Sequence, residues 1–142
     1  MIKILSKRFE IAFNLTYDLY NSIHENNLIL KIDNLPSNSI GNQAWCIVGA
    51  RESYFNAIKK SGWIGFNCSL DNYNDKIEIL QLLSSTRKTI LEFLNAITLS
   101  FEQVEFAFKL LEHEIQHHGQ LIRYFYSNKF EFPKSWKDRY SV

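Results

Sequence analysis

Apolar residues recur at three- and four-residue steps through most of this chain, the spacing of one face of an α-helix. From Ile4 to about His24 the residues Phe9, Ala12, Phe13, Thr16, Leu19, Tyr20 and Ile23 form such a stripe and predict a first amphipathic helix. A connector, Lys31 to Asn38, breaks the period with Pro36 and a Ser/Asn cluster, and the apolar residues Leu28, Leu30, Ile32 and Leu35 around it predict that it is packed down. A second helix runs from near Ser39 to about Lys60, its main stripe Ile40, Ala44, Ile47, Tyr54, Phe55 and Ile58. A neighbouring face carries only small residues, Cys46, Gly49, Ala50, Ser53 and Ala57, which either lets another helix approach closely or leaves room for something bound. The two glycines of Ser61 to Cys68 predict a loop with apolar anchors.

A third helix takes Asp75 to Ile97, with Ile79, Leu80, Leu83, Ile90, Leu94 and Ile97 inward and Arg87 and Lys88 toward solvent or a partner. The link Thr98-Leu99-Ser100 is so short that the fourth helix must run back beside the third. Ser100 and Gln103 form a capping box that opens this helix, and it continues to Tyr126. Glu131 to Val142 reads as a C-terminal strap, with Phe130, Phe132, Trp136 and Tyr140 available to dock. The expected fold is therefore all-α, a four-helix bundle with a C-terminal strap, spanning residues 1–142 as one domain.

The fourth helix carries two apolar stripes. One is Val104, Phe108, Leu111, Ile115 and Ile122; the other is Phe106, Leu110, Leu121 and Tyr124, with His113 and His117 inside it. Glu105, Lys109, Glu112, Gln116 and Arg123 share one narrow polar strip. A helix apolar over most of its circumference must be covered on two sides. One cover is its own bundle, and the simplest second cover is a copy of itself, so a homodimer is expected.

Composition narrows the function classes. The chain is 46% hydrophobic and 15% aromatic, enough for a folded core without staples. A net charge of +1, with lysines and arginines scattered along the sequence, gives no footprint for nucleic acid or a membrane surface. No charged-then-apolar leader and no apolar run of about 18 residues occurs, so a soluble, cytoplasmic protein is expected. Two cysteines, Cys46 and Cys68, make no disulfide framework and read as reduced thiols.

Candidate chemistry concentrates in His113-Glu114-Ile115-Gln116-His117-His118, which holds three of the four histidines. His113 and His117 are four apart, so their imidazoles rise from one helical face about 5–6 Å apart, a separation that suits two ligands of one metal ion. The same pair also suits a hydrogen-bonded polar pocket, since each buried imidazole needs partners for both nitrogens. His113-Glu114-x-x-His117 also spells the zinc-peptidase motif. Helical geometry nevertheless turns Glu114 about 100° away from His113, and the chain lacks a strand-lined cleft and an evident downstream third ligand.

The run His113 to Gln120 resembles the His-x-x-x-His-(Arg)-Gly-Gln signature of the DinB/YfiT-like superfamily of metal-dependent enzymes, with His118 standing where an arginine is usual. Gln43-Ala44-Trp45-Cys46-Ile47-Val48-Gly49-Ala50 is similar to that family's second-helix segment, and Phe132-Pro133-x-Ser135-Trp136-Lys137-x-Arg139-Tyr140 to the ending of one branch. The resemblance implies a bundle, commonly homodimeric, in which one histidine of the second helix and a pair on the fourth hold zinc or nickel, and the open metal position activates a small thiol for transfer. Carried onto this sequence, His113 and His117 match the pair, and Cys46 occupies the place of the second-helix histidine. A thiolate there would still bind zinc at about 2.3 Å. Equally, Cys46 would serve as a small apolar core residue. His24, late in the first helix, reads as an exposed helix-end residue. Two expectations follow: a DinB-like metal-dependent transferase or hydrolase using a small-molecule thiol, with His113, His117 and Cys46 as ligands, or a non-catalytic homodimeric bundle whose metal site has degenerated.

Overall fold

A computed structural model describes residues 2–142, and among them the protein is all-α, with five helices and no strand. Four are long: α1 (Ile2–Ser22), α2 (Ile40–Lys60), α3 (Lys76–Ala96) and α4 (Phe101–Ser127); α5 (Lys134–Tyr140) is short. None of them is long and apolar enough to cross a membrane.

Local chemistry sets the helix ends. Ser39 accepts from the Asn42 backbone N–H while the Asn42 side chain accepts from that of Ser39, so α2 opens with a reciprocal cap. Ser100 and Gln103 do the same for α4, as their spacing predicts. Asp75 caps α3 by accepting from the Glu78 amide. The first helix stops two residues earlier than its stripe suggests, because the chain there tightens into a 3-10 turn, Glu25–Asn27, capped by exposed His24. The segment expected as a strap contains α5, whose Trp136 is buried and donates its indole N–H to the Leu15 carbonyl at 2.7 Å.

Packing is most extensive between α1 and α3 and between α2 and α4, with lighter α1/α4 and α2/α3 seams and α5 resting on α1. The expected stripe of α1 is buried from Phe9 to Ile23, as are Ile79, Leu83, Ile90 and Leu94 of α3. On α4 the buried apolar residues are Ala107, Leu110, Leu121, Tyr124 and Phe125. Phe108 and Ile115, from the other stripe, are 40% and 38% exposed. Arg87 finds a partner within the chain at the surface, reaching Glu10 at 3.0 Å and Asn14 at 2.8 Å on α1.

Gly49 and Ser53 on the small face of α2 receive the loop that follows it, while Ala50 of that face packs into the core between the helices. A Cβ built on Gly49 would lie 2.3 Å from the Phe66 ring, so only glycine admits that ring at rest. Ser53 then accepts from the Asn67 N–H at 2.8 Å and donates to its carbonyl at 3.1 Å. Gly41 serves a similar closeness, since a Cβ there would sit 2.1 Å from the Tyr73 carbonyl oxygen.

The apolar interior falls into two clusters. One gathers Leu19, Ile40, Ile47, Leu83, Leu121 and Trp136, among others. The second holds Phe9, Phe13, Ile58, Ile90, Leu94 and Leu110. Buried polar residues, Thr16, Arg51, Glu114 and His118, lie at the levels of the helices where one cluster gives way to the other.

Candidate functional site

His113 and His117 project from successive turns of α4 with ring centroids 4.5 Å apart and planes inclined by 57°. His117 is buried and its Nδ1 lies 2.5 Å from Gln43 Oε1 on α2. The orientation of that amide is fixed from its other end, because Gln43 Nε2 donates to Asn38 Oδ1 at 2.9 Å. Tyr124 donates its hydroxyl to the same Asn38 oxygen at 2.5 Å. An oxygen facing Nδ1 makes His117 the donor, so its proton sits on Nδ1 and its Nε2 lone pair is left free. Burial, with the neighbouring His113 charge second, lowers its pKa to about 4, so the ring is neutral near pH 7. His113 is half-buried, and burial holds its pKa below the ordinary histidine value. Its Nδ1 is buried without a hydrogen-bond partner, while the Tyr54 ring lies 6.3 Å away.

An ion about 2.0–2.1 Å from one nitrogen of each ring would hold the centroids roughly 4.5–5.5 Å apart, so the two imidazoles fit two positions of one divalent ion. Among the described residues no group of three His, Cys, Asp or Glu side chains is gathered as a metal site. Cys46, the residue expected to complete the set, is half-buried, and its electrostatic neighbours are Tyr20, Tyr124 and Cys68. Burial raises its thiol pKa. The residue of α2 that meets His117 is Gln43, three positions earlier, and it orients the ring as a carbonyl beside a ligating histidine does.

Glu114 takes no part in this pair. It is fully buried on the other side of α4, where Arg51 grips it through Nη2 to Oε1 at 2.6 Å and Nε to Oε2 at 3.1 Å. Burial pushes its carboxyl upward, but the Arg51 charge and hydrogen bonds, with His118 and Thr16 adding to them, outweigh that and leave it below the usual carboxylate range. Arg51 also donates through Nη1 to the Leu83 carbonyl at 3.0 Å and to Thr86 Oγ1 at 3.2 Å, and its guanidinium lies 4.0 Å from the Phe13 ring centroid. A peptidase-like general base is thereby excluded, since an ion-paired, solvent-free carboxylate cannot reach a water on His113.

His118 extends the same network. The Thr16 hydroxyl donates to Glu114 Oε1, so its oxygen accepts from His118 Nε2 at 2.8 Å, and His118 Nδ1 accepts from the Tyr140 hydroxyl at 2.7 Å. Tyr140, His118, Thr16, Glu114 and Arg51 thus form one chain of hydrogen bonds running from α5 through α1 and α4 to α2. Burial lowers the His118 pKa to about 4, against the pull of the Glu114 charge.

Sequence reasoning placed the histidine pair but passed over Gln43 and Arg51. A signal for Arg51 existed: positions 40, 44, 47, 51, 54 and 58 share one face of α2, and Arg51 is the charged member of an otherwise apolar stripe. Glu114 holds the matching place on α4, among Ala107, Leu110, Leu121 and Phe125. A scan of the chain against protein-family models finds no match, and a search of curated proteins finds none either.

Proposed function

We propose that the protein is a DinB-like four-helix bundle, formed by α1 to α4 as a single domain with the α5 segment as its strap, which acts on a small molecule at His113 and His117 as a metal-dependent transferase or hydrolase in the cytoplasm. One observation carries this reading: two neutral imidazoles 4.5 Å apart, the second with its Nδ1 proton turned to Gln43 and its Nε2 lone pair left free. A divalent ion held there, zinc or nickel, would supply Lewis acidity. His113 and His117 would hold it, Gln43 would orient His117, and water or a substrate thiol, in place of Cys46, would fill the remaining positions.

The rival reading, a non-catalytic bundle with a degenerate site, is favoured by the missing third donor. Calorimetric titration of zinc into protein made without chelator or affinity tag separates the two. The enzyme reading expects one zinc per chain, lost in His117→Ala, weakened about tenfold or more in Gln43→Leu and retained in Cys46→Ser. A folded wild type that takes up no zinc leaves the degenerate bundle.

The homodimer belongs to the same proposal. Ile115 and Leu111 of α4 line a cavity of about 170 Å³ with Ile11 and Leu15 of α1, Arg8 and Arg139 also lining it, and Phe108 of the same stripe is exposed. Light scattering is expected to report a dimer that Phe108→Lys converts to monomer; a monomeric wild type would remove this face from the proposal.

A further inference from the structure

The cavity of about 170 Å³ between α1 and α4 has only two kinds of wall. Aliphatic side chains, chief among them Ile11, Leu15, Leu111 and Ile115, form most of it, and Arg8 and Arg139 form the rest. Leu15 is 4% exposed and closes the inner end, whereas Ile11 and Ile115 are 36% and 38% exposed, so the cavity opens to solvent between them. Among the described residues no carboxylate belongs to its lining. Leu111 and His113 are two positions apart, about 200° round the helix, so the cavity lies on the flank of α4 turned away from the imidazole pair.

Both arginines are exposed, and among the described residues neither makes an ion pair. Arg51 and Arg87, by contrast, hold Glu114 and Glu10. The place of Arg139 is set by its neighbours on α5. Trp136 donates to the carbonyl of Leu15 at 2.7 Å and Tyr140 donates to His118 at 2.7 Å, which pins α5 on both sides of position 139. Asp18 and Asp138 line an adjoining hollow of about 440 Å³, and Asp138 is already held there by Lys134. An apolar hollow whose charges are two unpaired guanidinium groups suits a ligand with a hydrocarbon body and an anionic end.

We propose that this cavity binds a short aliphatic anion, an alkyl chain of about six carbons ending in a carboxylate or a phosphate. An engineered apolar cavity of about 150 Å³ takes up a six-carbon ring, and the volume here is of that size. The chain covers the aliphatic wall, and the head receives charge-assisted hydrogen bonds from Arg8 and Arg139. The site is independent of the histidine pair and of any metal held there.

Hexanoate, hexyl phosphate, 1-hexanol and hexylammonium share the chain and differ at the head. Each is titrated into the full chain while isoleucine and leucine methyl resonances are followed by NMR. The anions are expected to shift the Ile11, Leu15, Leu111 and Ile115 methyls saturably and to bind about tenfold tighter than 1-hexanol, with hexylammonium weakest. The tighter of hexanoate and hexyl phosphate names the head. Arg8→Gln and Arg139→Gln, both at exposed positions, should each weaken the anions several-fold and leave 1-hexanol unchanged. Anions that bind no tighter than 1-hexanol, or as tightly when both arginines are replaced, overturn the site. Methyl shifts that follow protein concentration and not added ligand would give the cavity to a second copy of the chain and overturn it too. Phe108→Lys alters no lining residue and should bind hexanoate as the wild type does, so the dimer and the ligand site are tested separately.

Discussion

Glu114→Ala is expected to destabilise the protein by about 3–5 kcal/mol, the largest effect of any single substitution considered for this chain. The cost comes chiefly from Arg51. With its carboxylate partner gone, a guanidinium with no solvent exposure keeps only the Leu83 carbonyl and Thr86 hydroxyl, both neutral acceptors. Thr16 also loses its carboxylate acceptor and keeps only the Ala12 carbonyl at 3.2 Å. Since a domain of this size is stable by only about 5–15 kcal/mol, urea unfolding should show a much earlier midpoint. The double variant Arg51→Met, Glu114→Leu tests the cause. Removing both charges and filling their volume with apolar atoms should recover most of the loss, as replacement of a buried ion pair by packed hydrophobic residues commonly does. If Glu114→Ala unfolds at the wild-type urea concentration, the pair is not what ties these helices together.

Metal-free protein is expected to lose stability as pH falls from about 6.5 toward 4, before most carboxylates titrate. His117 and His118 both have folded-state pKa values of about 4, well below the ordinary histidine value of 6.5. The unfolded chain therefore binds protons that the native one refuses. The stabilisation from keeping each ring neutral is complete above 6.5 and is lost progressively down to about 4, below which the loss levels off. At 1.36 kcal/mol per pKa unit each histidine contributes up to about 3 kcal/mol. The hydrogen-bond chain gives a structural reason at His118: a proton on Nδ1 would face the Tyr140 hydroxyl that now donates to it. Urea unfolding at a series of pH values from 7 to 4.5 should show the slope, and His118→Gln should remove about half of it. A stability profile flat across that interval would mean that neither ring is held neutral.

What was legible in the sequence was mostly local. The Ser100 and Gln103 cap lies within a single turn, and the stripes of α1 and α3 repeat over five turns, so the residues alone fix where those helices begin and which side turns inward. The histidine pair was legible for the same reason, since four residues on one helix set its spacing. Its surroundings were not, because they come from distant segments: Gln43 reaches His117 across 74 positions, and Tyr140 reaches His118 across 22. Counting apolar residues also hides a charge placed where the core should be. Arg51 and Glu114 each interrupt an apolar stripe, and neither interruption has meaning until the other is seen opposite it. The loop after α2 was readable as a loop, yet the way Gly49 and Ser53 receive it depends on the small face of α2, which alone fits a helix equally well.

Two of the polar contacts between α2 and α4 have a mechanical consequence. Arg51 meets Glu114 on one side of α4 and Gln43 meets His117 on another, eight residues apart along α2 and three along α4. Apolar surfaces tolerate a neighbour sliding by a turn, about 5.4 Å, because one methyl group serves nearly as well as the next. A charged fork and an oriented amide do not, and a slip in either direction would strand both at once. The histidines thus sit on a helix that is keyed in place lengthwise and in rotation, and any motion that serves the site must come from side chains or from the loop over Gly49.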